Sequence, residues 1–76
     1  MHMIPDTSPP AQPTELWRVD VIVGETRIDS AYFSATDDEV DMVALGIVVA
    51  QGGDSGDVHQ YSDGTNGIYY STVVVK

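Results

Sequence analysis

The sequence predicts a small α+β protein of two layers, a four-stranded antiparallel sheet of two hairpins with one helix on one face, in the order ββαββ. Three observations lead to that class. Apolar side chains alternate from Glu15 onward, with Trp17, Val19, Val21 and Val23 on one side of a strand. Met42–Ala50 is a run of nine residues without a polar side chain, set between a helix-start pattern at Thr36–Glu39 and a stop at Gln51-Gly52-Gly53. Ile68–Val75 is aromatic or β-branched almost throughout, the composition of a strand.

The first strand is expected over Glu15–Val23 and to turn at Gly24-Glu25, where glycine accepts a positive φ. Thr26–Phe33 is then the return strand, with Ile28 and Tyr32 among its inward residues. Thr36 followed by Glu39 reads as a capping box, and the acids after Thr36 stand where the helix dipole is positive. The β-branched Ile47-Val48-Val49 is also compatible with a buried strand, but the start signal and the length up to Gly52 favour a helix. Within it, Val40, Val43, Ala44 and Ile47 are expected to face the sheet. Gly52–Gly56 reads as a loop, Asp57–Ser62 as a strand and Asp63–Gly67 as a turn before the last strand. Residues 1–14 hold Pro5, Pro9, Pro10 and Pro13 and read as an extended tail, leaving residues 15–76 as one domain.

A chain of 76 residues buries only about 60% of its unfolded surface, so its stability margin is thin. Without cysteine, neither a disulfide nor a thiolate metal site reinforces it, and association with another molecule is the remaining common route. One sheet cannot cover a helix that is apolar all round. Met42, Leu45, Gly46 and Val49 are therefore expected to meet a second copy, in a homodimer.

Twelve acidic residues stand against Arg18, Arg27 and Lys76, a formal charge of −9. That balance argues against direct nucleic-acid binding, which needs cations on phosphate, and favours solubility and basic partners. Nine apolar residues span about 14 Å as a helix, half a bilayer core, and no basic-then-apolar leader is present. The expectation is a cytoplasmic protein with no membrane role.

Asp37, Asp38, Glu39 and Asp41 form an acidic cluster suited to a basic partner protein, although helix capping alone also favours acids there. The loop acids Asp54 and Asp57, or Asp63 with Thr65 and Asn66, lack the ligand spacing of a calcium loop and read as turn chemistry. His59 and Asp57 share one strand face, and Ser55, Ser62 or Ser71 could approach them, but there is no Gly-x-Ser-x-Gly, Walker or dinucleotide pattern. No catalytic, cofactor-binding or metal-binding residue is assigned, and no enzyme is expected. Tyr69 and Tyr70 are adjacent on a strand, so one packs under the helix and the other is exposed on the sheet.

No motif carries a family resemblance; small size, acidity and this element order are an outline shared with many small proteins of bacterial viruses and their hosts. The expected function is an acidic, non-enzymatic protein-binding module, most concretely an inhibitor occupying a basic groove on a nucleic-acid-processing enzyme. An assembly protein forming a homo-oligomer and a binder of a small molecule or ion are the alternatives.

Overall fold

Alternating apolar residues make a strand only where a second layer waits for one of its faces, and here the helix is that layer. The computed structural model describes residues 13–61 and 67–76. Its elements are β1 (Glu15–Val23), β2 (Thr26–Ala35), α1 (Val40–Ala50), β3 (Ser55–Gln60) and β4 (Ile68–Val74). The sheet order is β2-β1-β3-β4 with every neighbouring pair antiparallel. The fold is therefore the four-stranded α+β arrangement in ββαββ order. β2 and β3 both oppose β1 and so run parallel to each other, and α1 carries the chain from one to the other. The helix packs on β1, β3 and β4 and touches β2 least.

Trp17, Val19 and Val21 of β1 are fully buried under Val40, Ala44 and Val48 of α1, with Val58 of β3 beside them. The indole N–H of Trp17 donates to the Ala35 carbonyl at 2.9 Å, which satisfies the one polar atom of that side chain inside the core. Gly56 permits the close helix: a Cβ there would stand 2.6 Å from Val48 Cγ2 and 2.7 Å from Val19 Cγ2. The helix ends in a Schellman motif. Gly52, at φ 74°, donates to the Val49 carbonyl at 3.1 Å, and Gly53 donates to the Val48 carbonyl at 2.9 Å.

Several expectations require correction. Ile28 and Tyr32 do not point inward. Trp17 stands opposite Phe33 and Val19 opposite Ala31, so Ala31, Phe33 and Ala35 take the helix-side face of β2 and Tyr32 is exposed; Ile28 falls at the irregularity where the register shifts between Val21 and Ile22, and is exposed as well. Val23 is exposed at the strand end rather than part of the core. The capping box does not form: the residue preceding α1 is Glu39, no side chain caps the helix, and Thr36 acts through its carbonyl, which accepts the Glu39 N–H at 3.0 Å. Val43 and Ile47 are half-buried, while Val48, not among the expected inward residues, is fully buried. β2 continues to Ala35 and β3 begins at Ser55, which shortens both neighbouring loops. The proline-rich stretch lies outside the described residues except for Pro13 and Thr14, both exposed, as does the Asp63–Gly67 turn except for Gly67. Among the described residues no helix is long and apolar enough to cross a membrane.

Candidate functional site

A strand that buries its odd-numbered residues must show the even-numbered ones on the other side, and no element covers that side among the described residues. The registers line these residues up in rows across the sheet. One row reads Tyr32 (β2), Arg18 (β1), His59 (β3) and Tyr69 (β4); the next reads Ser30, Asp20, Asp57 and Thr72. A guanidinium, an imidazole and two phenols thus fill one row, carboxylates and hydroxyls the other.

The rows are tied together. Arg18 Nε stands 2.9 Å from Asp20 Oδ1, and Nη2 donates to Oδ2 at 3.2 Å. Ser30 Oγ donates to Asp20 Oδ1 at 2.7 Å, so this carboxylate is buried on a face that otherwise meets solvent. Arg18 Nη1 donates to the Tyr61 hydroxyl at 2.5 Å, and the guanidinium carbon lies 5.4 Å from that ring's centre. Tyr61 meets Tyr32 edge-on with ring centres 5.3 Å apart, and His59 meets Tyr69 likewise at 5.8 Å. On the β4 side, the Tyr69 and Thr72 hydroxyls share a hydrogen bond at 2.6 Å, and Thr72 donates to Asp57 at 2.9 Å.

These contacts set the electrostatics. Burial opposes the Arg18 charge, but the Asp20 carboxylate and the two phenols outweigh it and hold its pKa above the ordinary value. The Tyr61 phenol is pushed up, first by its hydrogen bond with Tyr32 and then by burial, with Arg18 opposing.

Among the described residues, the serine, histidine and aspartate grouping that the sequence leaves open does not assemble. Ser71 lies on the helix side and donates to Asp41, and Ser62 is outside the described residues. His59 Nδ1 is buried 3.8 Å from Asp20 Oδ2 without a hydrogen bond, and Ser30 gives its proton to that same carboxylate. In this trio the carboxylate stands in the middle, whereas nucleophile activation needs the imidazole there. Among the described residues no group of three or more His, Cys, Asp and Glu side chains is placed to hold a metal ion. Asp54 accepts the Gly24 N–H at 2.8 Å and so ties the turn between β1 and β2 to the loop between α1 and β3.

The other candidate residues lie elsewhere. Asp37, Asp38 and Glu39 are exposed in the turn before α1, and Asp41 is exposed in its first turn, accepting from Ser71 at 2.6 Å. Met42, Gly46 and Val49 are exposed, while Leu45 is half-buried and packs against the chain's own core. Tyr69 is on the open face; Tyr70 meets Trp17 edge-on, ring centres 4.8 Å apart. Reading the residues one by one missed the Arg18, Asp20, Ser30, Tyr61 grouping. Its signal was opposite charges two residues apart on the strand face turned away from Trp17. Comparison of the chain with models of protein families, with characterised proteins and with solved structures found no match.

Proposed function

We propose that the protein is an acidic, non-enzymatic protein-binding module that acts as a homodimer and takes its partner on the open sheet face. The observation that carries this reading is the pair Tyr32 and Tyr69, each 58% exposed at opposite ends of one row, with Arg18 and His59 between them. Tyrosine and arginine are the residues that dominate binding energy in protein interfaces. They span three strand spacings, about 14 Å, the width of a contact core rather than of a small-molecule cleft. The network beneath them fixes their orientation before binding, which lowers the ordering cost of association.

A charge of −9 draws basic partners toward the chain, and the exposed Asp37, Asp38, Glu39 and Asp41 concentrate that field at the start of α1. Occupation of a basic groove on another protein, as an inhibitor, is the concrete form of this function. Affinity capture from cell lysate, over a salt series, with the wild type and a Tyr32→Ala/Tyr69→Ala variant tests it. The expected result is a partner held at low salt, released at high salt and lost by the variant. Capture unaffected by the variant rules out the open face, and no partner at low salt removes the function.

A further inference from the structure

The two edges of the sheet differ in charge. β2 carries Arg27 and Asp29, a common defence against unwanted strand pairing, whereas residues 68–75, which include all of β4, contain no charged residue and no proline. Among the described residues no strand pairs with the outer side of β4. The Val75 N–H donates to the Asp54 carbonyl at 2.9 Å and so points toward β3. Antiparallel alternation then turns the N–H and C=O of Thr72 and Val74 outward. Above this edge runs one flank of α1, located by the Ser71 to Asp41 hydrogen bond; Leu45 and Val49 follow Asp41 on it at intervals of one helical turn.

We propose that β4 is the seam of a two-fold homodimer, pairing antiparallel with β4 of a second copy about Val73 to make one continuous eight-stranded sheet. Thr72 then faces the partner's Val74, and each such pair exchanges two hydrogen bonds. A second copy is the occupant that fits. An antiparallel edge is its own complement under a two-fold axis, donors meeting acceptors. β4 itself offers a basic partner no acid, and the two carboxylates that lie against it, Asp41 and Asp57, are already engaged by Ser71 and Thr72. The two helices run in opposite directions over the joined sheet, so the Asp37–Asp41 clusters sit at opposite ends. Asp41 is held over Ser71, and in this register Ser71 lies opposite Val75 of the partner subunit, so the two Asp41 anchor points stand about 13 Å apart along the seam, beyond the screening distance of about 8 Å at physiological salt. Leu45 and Val49 of both copies fill the space above the seam.

This assignment rests on the homodimeric part of the proposed function, and its test separates the two. Sedimentation velocity over a dilution series is paired with amide hydrogen exchange by NMR on the same wild-type samples. The expected result is a dimer in which the Thr72 and Val74 amides are protected and lose protection in step with dissociation. Val74→Pro, which removes an outward donor and no bond of its own sheet, raises the dimer dissociation constant roughly tenfold or more while circular dichroism stays native. A dimer whose Thr72 and Val74 amides exchange freely overturns the seam and leaves the homodimer standing. A monomer with those amides open overturns both, and protection that persists in a monomer overturns both in favour of the chain's own segment covering the edge. The exchange measurement stands whether or not the proline variant folds.

Discussion

Toward the helix β1 presents Trp17, Val19 and Val21 with no exposure at all; toward solvent the same strand presents Leu16, Arg18, Asp20 and Ile22. The two faces are held by different physics. On the covered side apolar area removed from water does the stabilising, without direction and spread over many atoms. On the open side the stabilising contacts are directional: Asp20 is held only while Arg18 and Ser30 reach it at bonding distance. One strand thus separates two tasks, with cohesion on one side and a pre-set polar and aromatic surface on the other. Substitutions on the two sides should accordingly fail in different ways.

The largest effect is expected from Trp17→Ala, which empties the centre of the covered face and should cost about 3–5 kcal/mol in denaturant unfolding. A loss comparable to that of a surface substitution would break the comparison at its root. Gly56→Ala tests the closeness of the same face: its methyl would meet Val48 and Val19 at 2.6 and 2.7 Å, and about 1–3 kcal/mol of destabilisation should follow. On the open face, Asp20→Ala leaves Arg18 and Ser30 without their acceptor and should cost about 1–3 kcal/mol by the same measurement, with the helix signal in circular dichroism retained.

A smaller effect concerns alkaline pH. Tyr61 has its folded pKa raised above the ordinary 10. The unfolded chain therefore releases that proton first, so the contribution is present below about pH 10 and is lost as pH rises through the folded value. Unfolding curves at about pH 8 and about pH 11 should show a decline that Tyr61→Phe reduces; an equal decline in both proteins would contradict the assigned contact. The smallest stability change is expected from Tyr32→Ala, within about 0.5 kcal/mol by thermal unfolding, because its ring is mostly exposed. That variant sharpens the contrast by separating partner binding from folding.

The covered face was legible because its information is local. Trp17, Val19 and Val21 announce their side by alternation, and the run between Thr36 and Gly52 is too long for a strand of this sheet. β2 misled because Ile28 and Tyr32 are the bulkier choice by hydrophobicity, yet pairing of Phe33 with Trp17 sets the parity and gives the inward places to Ala31 and Ala35. The cap misled because Ser-Ala-Thr-Asp-Asp-Glu satisfies the pattern of a box, while the chain spends Thr36 on a turn before the helix begins. The open face was illegible for a different reason. Arg18 and His59 are 41 positions apart and become neighbours only through the β1–β3 register, which no short window of sequence contains.

Trp17 is the only tryptophan of the chain, and its indole touches distant parts of the sequence at once: it donates to the carbonyl of Ala35 at the end of β2 and meets the ring of Tyr70 in β4. Its emission is therefore an optical record of completion. A partly folded chain holding only the first hairpin would bring Ala35 to the indole but not Tyr70, and its spectrum would differ from that of the finished sheet. The residue that anchors the core is also a built-in reporter of when the last strand has arrived.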